Sequence, residues 1–144
     1  LNYKENEIYL CTGGTPTYAL WGELMSTRAI QCGATGAVLN GYSRDTLGIL
    51  ELNFPTFSYG TYAQDQAPRG KVIDYRIPIK IGNVAITPGD IVFGDIDGVC
   101  IIPQEIEKEV VQLADEKVNG ENLVRKSIEA GMSSVEAFNK YGIM

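Results

Sequence analysis

A chain of 144 residues, 44% hydrophobic and 21% charged, has the size and balance of one globular domain. Its net charge of -6 argues against nucleic acid as a main partner, because phosphate backbones select for Lys/Arg patches and none is visible. No apolar run approaches the roughly 20 residues that span a bilayer, so no membrane partner is expected.

The polar start, Leu1 to Glu7, reads as a leader or linker and not as a signal peptide. Ile8 to Thr12 is a short apolar strand, broken by Gly13-Gly14-Thr15-Pro16. From Thr17 to Cys32 the apolar spacing predicts a helix, with Gly33 as its stop. Ala37-Val38-Leu39 is a second strand, closed by Asn40-Gly41, so the opening is a βαβ-like unit. Phe54 to Tyr59 reads as an edge strand entered through Pro55. Further strands are expected at Val72 to Tyr75, Ile77 to Ile81 and Val84 to Ile86, the last two joined by a Gly82-Asn83 hairpin. Thr87-Pro88-Gly89-Asp90 is a turn, and Gly94 to Gly98 is a second hairpin turn between Ile91-Val92-Phe93 and Val99 to Ile102. After Pro103 an apolar stripe of Ile106, Val110, Leu113 and Val118 predicts a helix to about Glu129, stopped by Gly131. Ser133 or Ser134 caps a last short helix.

The chain has no histidine. A Ser-His-Asp triad, a Cys-His pair and a His-based zinc site are therefore excluded within it. A metal site here must be built from oxygen ligands, which suit Mg, Mn or Ca. Cys11, Cys32 and Cys100 lie in apolar segments and read as buried thiols in a reducing compartment, the cytoplasm first.

Gly22-Glu23-Leu24-Met25, followed after Gly41 by Arg44-Asp45, is the strongest local signal. In a βαβ unit the loops beyond the carboxyl ends of the strands converge on one edge. There a guanidinium fork suits a carboxylate ligand, and a carboxylate suits a metal. On the residues alone a solvated loop ion pair is the simpler account. The glycines Gly33, Gly36 and Gly41 match no nucleotide-loop pattern. Asp95-Ile96-Asp97-Gly98 lacks the closing acid of a calcium loop and reads as a turn. Lys71 and Lys80 are the plausible Schiff-base candidates, but neither stands in a long apolar run. Gly120 weakens its helix by about 1 kcal/mol relative to Ala and hints at a close contact or a bend.

These segments together resemble the RraA-like family, which includes 4-hydroxy-4-methyl-2-oxoglutarate aldolases and oxaloacetate decarboxylases. The resemblance rests on Trp21 to Met25, Gly33 to Val38, Gly41 to Asp45, Phe54 to Phe57, Val84 to Asp90 and Gly94 to Val99. It implies an α/β fold, a swivelling β/β/α domain with a C-terminal helix, in a trimeric ring that is sometimes doubled to a hexamer. It implies a single RraA-like domain over residues 1–144, without roughly 70 to 90 residues of N-terminal segment. By resemblance, Arg44 would bind the carboxylate of a 2-keto acid and Asp45 would ligate Mg2+ or Mn2+ directly. Glu23 would hold the metal through water, as would Glu121 from an adjacent subunit. Gly22 and the Leu24 and Met25 amides would support the substrate. The implied activity is a metal-dependent lyase that cleaves a C–C bond of a 2-keto acid to give pyruvate enolate. The alternative is a non-catalytic regulator that binds an RNA-degrading nuclease; such members tend to lack the Asp of Arg-Asp, which Asp45 supplies here. Three residues after Asp45, where family aldolases often carry an acid, this chain has Gly48.

Overall fold

The computed structural model describes residues 3–143. It divides into two units, Leu1–Ile101 and Ile102–Met144. In chain order the elements are β1 (Ile8–Cys11), β2 (Ala19–Trp21), α1 (Glu23–Gln31), β3 (Gly36–Leu39), β4 (Tyr42–Ser43), α2 (Thr46–Glu51), β5 (Thr56–Phe57), β6 (Ile79–Ile81), β7 (Val84–Ile86), β8 (Ile91–Asp95) and β9 (Gly98–Ile102). The second unit carries α3 (Glu107–Glu129) and α4 (Ser134–Tyr141). An α/β fold with a C-terminal helix is thus the observed class.

In the first unit β1, β3 and β5 form a parallel sheet in the order β1-β3-β5. Parallel neighbours need a long crossover connection, and α1 lies in the one between β1 and β3. β2 and β4 form a second parallel pair. β6 and β7 form an antiparallel hairpin across Gly82-Asn83, as expected, and β8 pairs with β9. The Thr87–Asp90 turn is closed twice: Asp90 N–H donates to the Thr87 carbonyl at 3.0 Å, and Thr87 N–H donates to Asp90 Oδ2 at 2.8 Å.

The core of this unit gathers around Trp21, which is 1% exposed. Its ring stacks on Phe54 at 6.1 Å and lies 4.8 Å from Tyr9. A buried indole N–H needs an acceptor. Ser26 Oγ provides it at 2.7 Å, from the first turn of α1. Ser26 and Ala29 are wholly buried, so α1 approaches the sheet through small side chains.

Several expectations are corrected. The helix expected from Thr17 begins at Glu23, and Ala19–Trp21 is a strand. Gly22 is fully extended (φ -158°, ψ -178°), which separates the two elements. Three buried residues in a row satisfy a helical spacing and a two-sided strand equally well, so periodicity alone does not distinguish them. The short helix α2 was not expected; it opens at Asp45, which adopts the left-handed conformation (φ 56°). Val72 to Tyr75 forms no strand, and Ile73 is 89% exposed: an apolar run without a ladder partner stays irregular. The strand expected from Phe54 to Tyr59 shrinks to Thr56–Phe57, at the sheet edge after Pro55. Residues 3–7 are no loose leader. Tyr3 packs on Tyr9 and Trp21, Asn6 N–H donates to the Gly33 carbonyl at 2.8 Å, and Glu7 pairs with Arg76. Leu1 and Asn2 lie outside the described residues. All three cysteines are free, but none is fully buried as expected: Cys11 and Cys32 are half-buried, and Cys100 is exposed on β9, which has only β8 beside it.

In the second unit Ser133 caps α4 through a capping box: its Oγ accepts from Glu136 N–H at 3.2 Å while Glu136 Oε2 accepts from Ser133 N–H at 3.0 Å. The Ser133 hydroxyl, which also donates to Glu136 Oε2 at 2.8 Å, and then the Ser133 N–H hold the Glu136 carboxyl below its ordinary value. Gly131 (φ 99°) ends α3 as expected. Val124 and Ala137 are the buried residues of the two helices, and Ser127 Oγ meets Tyr141 Oη at 2.9 Å. The hint at Gly120 is met by a close contact: a Cβ there would lie 2.6 Å from Ile143 Cδ1. Ile106, Leu113 and Val118 of the expected stripe remain exposed.

Ser26→Ala strands the buried Trp21 N–H and is expected to cost about 1–3 kcal/mol. In a Trp21→Phe background, where no N–H awaits a partner, the same change should cost clearly less; a double-mutant cycle by urea unfolding reads the difference. A second prediction concerns alkali. Burial pushes the Cys11 thiol up to about 11 from an ordinary 9.0. Because the folded-state value is the higher one, the stability it confers is intact below about pH 9 and is lost as pH rises through about 11. Unfolding midpoints measured from pH 8 to 11 should fall less steeply in Cys11→Ala.

Candidate functional site

The starts of α1 and α2 face each other. Gly22 is the N-cap of α1 and Asp45 the N-cap of α2. The loop between β4 and α2 is pinned to the end of β2, because Arg44 N–H donates to the Trp21 carbonyl at 2.9 Å. Just upstream, buried Ser43 donates its N–H to the Gly60 carbonyl at 3.0 Å, and its Oγ meets Ser58 Oγ at 3.2 Å. The Trp21 core thus fixes Glu23 on one side and Arg44-Asp45 on the other, with twenty residues between Glu23 and Arg44.

Asp45 Oδ2 sits over the start of α1 and makes a long contact, 3.4 Å, with Glu23 N–H. By helical geometry the N–H groups of Glu23, Leu24 and Met25 precede the intrahelical ladder, which begins with Ser26 N–H on the Gly22 carbonyl at 3.1 Å. A carboxylate is favoured at such a helix start. Arg44 Nη1 lies 3.1 and 3.0 Å from the two Asp45 oxygens, and Nη2 lies 3.6 Å from Asp65 Oδ2. Arg44 and Asp45 therefore pair with each other, the loop ion pair that the residues alone make the simpler account. Both side chains are about one-third exposed, so the pair is reachable and its net strength small.

Two glycines make this approach possible. A Cβ on Gly22 would lie 2.7 Å from Asp45 Oδ2. A Cβ on Gly48, in the first turn of α2, would lie 2.5 Å from Glu23 Cδ and 2.7 Å from its Cγ. Each carboxylate rests on the bare backbone of the other helix's opening turn.

A small open cleft of about 50 Å³ lies beside the pair, lined among others by Leu20, Trp21, Gly22, Met25, Arg44 and Asp65. Its walls mix apolar side chains with one guanidinium and one carboxylate, which suits a short anionic ligand. Leu24 borders it and is 80% exposed. Asp65 and Gln66 were not singled out in the sequence. They lie in an irregular stretch with no periodic or motif signal, and only the contact to Arg44 reveals Asp65.

Glu121 belongs to the second unit. There it pairs with Lys117 at 3.6 Å, one helical turn away, and borders a shallow groove with Val124, Arg125 and Ile128. Lys71 and Lys80 are both exposed, and neither sits in the apolar pocket that a Schiff-base lysine uses.

The donor set decides which metal would suit. Among the described residues no group of three or more His, Cys, Asp or Glu could hold a metal ion. What the first unit offers is a pair of carboxylates, Asp45 and Glu23, at two facing helix starts. That fits Mg2+ or Mn2+, which keep several waters and take one or two carboxylates, and it does not fit a closed zinc site.

The family model described as RraA-like, Aldolase/RraA, matches residues 2–101. A Halalkalibacterium halodurans protein named "Putative 4-hydroxy-4-methyl-2-oxoglutarate aldolase" is 33% identical over 91% of this chain and 62% of its own length. The crystal structure of an uncharacterized Pseudomonas syringae pv. tomato protein superposes with a TM-score of 0.93 at 26% identity, covering 96% of this chain and 66% of that one. Streptomyces coelicolor RraAS2, described as an unusual member of the RNase ES inhibitor RraA protein family, shares the fold at a TM-score of 0.79 and 24% identity, over 87% of this chain and 64% of that one. The chain spans between 22% and 65% of the length of the curated relatives it matches.

Asp65 competes with any anionic ligand for Arg44. Removing an exposed ion-pair partner is worth roughly 0.2–1 kcal/mol. Asp65→Asn should therefore strengthen oxalate binding up to a few-fold in calorimetric titration, and Arg44→Ala should abolish it. Unchanged oxalate affinity in Asp65→Asn would contradict this arrangement.

Proposed function

The chain belongs to the RraA-like family, and on that premise we propose that it serves as a divalent-metal-dependent lyase, cleaving a C–C bond of a 2-keto acid to leave the pyruvate enolate. Retro-aldol cleavage of a substrate like 4-hydroxy-4-methyl-2-oxoglutarate and decarboxylation of oxaloacetate converge on that enolate, so one site serves both. The observation that supports this reading is the placing of Arg44, Asp45 and Glu23 at two facing helix starts, beside a small open cleft.

In this reading Asp45 would hold Mg2+ or Mn2+ directly, and Glu23 would hold it through water, as would Glu121 from an adjacent subunit. The bound ion supplies Lewis-acid stabilisation for the negative charge that develops on the keto oxygen as the bond breaks. Arg44 takes the substrate carboxylate through its guanidinium fork and so fixes the direction of the scissile bond. Gly22, with the Leu24 and Met25 N–H groups, lies against the substrate. Those N–H groups stand free of the intrahelical ladder and point toward developing negative charge. The apolar wall of Leu20 and Trp21 limits water access to the cleft.

Copies of the chain assemble as a homotrimer in this proposal, or as a hexamer of two trimers. Exposed Leu24, Leu47 and Ile96 provide apolar surface for a second copy to cover. No helix among the described residues is long and apolar enough to cross a membrane. With three free cysteines, a reducing compartment such as the cytoplasm suits the chain.

Purified protein with Mg2+ or Mn2+ should release pyruvate from oxaloacetate faster than the free ion does, read by coupled NADH oxidation with lactate dehydrogenase. Chelator should abolish the excess rate. Asp45→Asn should lower kcat on the order of 100-fold, and Arg44→Ala should act mainly on KM. No rate above that of the free ion would sink the lyase reading and leave the nuclease-binding regulator as the account of this chain.

A further inference from the structure

Glu23 is the first residue of α1, yet its carboxylate does not run along its own helix. It lies over the backbone of the facing helix, where Gly48 leaves room: an added Cβ at position 48 would stand 2.5 Å from Glu23 Cδ and 2.7 Å from Glu23 Cγ. Real Cβ atoms do not approach so closely, so a side chain at 48 and the present position of Glu23 exclude each other. Gly48 is not needed for its backbone. It sits inside α2 with no left-handed φ, where alanine would be the better helix former. The absent side chain therefore acts through the space it leaves, and that space is filled by a carboxylate of the candidate site.

We infer that Gly48 is a positioning residue: the space it leaves lets the Glu23 carboxylate lie across the start of α2, in the place from which it would serve the metal. The inference rests on the metal reading above. Its mirror image is already in the structure, since Asp45 Oδ2 occupies the space over Gly22 in the same manner. The consequence is a trade between fold and site. Alanine at 48 should suit the helix better and the metal worse.

Two measurements on the full chain separate the steric claim from the metal claim. The first uses metal-free protein and thermal unfolding of wild type, Gly48→Ala, Glu23→Ala and the double variant. Gly48→Ala should raise the midpoint more in the Glu23→Ala background than in wild type, because Glu23 no longer contests the space. Equal shifts in both backgrounds would overturn the inference. The second is Mn2+ binding followed by electron paramagnetic resonance. Gly48→Ala should weaken binding roughly 10-fold or more without lowering the midpoint. Glu23→Asp, one methylene shorter, should weaken binding in wild type but restore part of it in the Gly48→Ala background. Strictly additive losses, or unchanged affinity in Gly48→Ala, would overturn the inference. Failure of the wild type to bind Mn2+ would instead overturn the metal reading beneath it, while the unfolding cycle still decides whether Glu23 and Gly48 share one space.

Discussion

The indole N–H of Trp21 is the constraint from which the first unit is built. It is buried, and a buried donor without an acceptor is expensive. The acceptor is Ser26 Oγ, which stands one turn into the next element. Meeting that bond sets where the strand ends, where the helix begins and how the two are angled at Gly22. The tilted ring of Tyr9 and the stacked ring of Phe54 then bind this corner to the sheet. Arg44 N–H on the Trp21 carbonyl carries the same anchor across to the second loop. Residues 21 and 44 are far apart in sequence and neighbours in space for one reason: both ends of the site hang on a single buried ring.

The site's electrostatics follow from that corner. Two helix starts bring partial positive charge to the same place. Asp45 and Glu23 answer it with carboxylates, and Arg44 adds a full cation that Asp45 and Asp65 already engage. One guanidinium against three carboxylates leaves this corner net negative, even with the two helix starts, and a negative corner favours a cation. The lack of histidine leaves oxygen donors as the groups that would meet it.

Much of this was legible in the residues, and the misses have physical causes. The strands β1 and β3, both hairpin turns, the long helix α3 and the Ser133 cap of α4 are read from local signals: apolar runs, Gly-Asn and Pro-Gly pairs, a serine three residues before a glutamate. Those signals are local because the bonds that make them are local. β2 was hidden because Ala19, Leu20 and Trp21 are all buried, and total burial erases the period that separates helix from strand. α2 was hidden because its start depends on a left-handed aspartate, a conformation that no periodicity announces. Val72 to Tyr75 had a strand's composition but no partner, and partners are not written in a segment's own sequence. Glu23, Arg44 and Asp45 stood out through spacing and family resemblance. Asp65 did not, since it enters by a contact made from an irregular stretch. Gly48 was visible only as a departure from the family's acid, and its meaning needed the carboxylate of Glu23 in place above it.

Asp45 carries two demands that usually fall on different residues. Its backbone sits at φ 56° and ψ 40°, a region that most side chains resist and that Asp, Asn and Gly enter most readily. Its carboxylate faces Arg44 and the start of α1. The fold would accept Asn there almost as readily as Asp; on the proposed chemistry, the site would not. One nucleotide change in the gene can make that exchange. A lineage could therefore shed the reaction while keeping the scaffold and its surfaces intact, and the opposite path is just as short. The left-handed aspartate makes this fold an easy place for a descendant to exchange catalysis for binding, or to regain it.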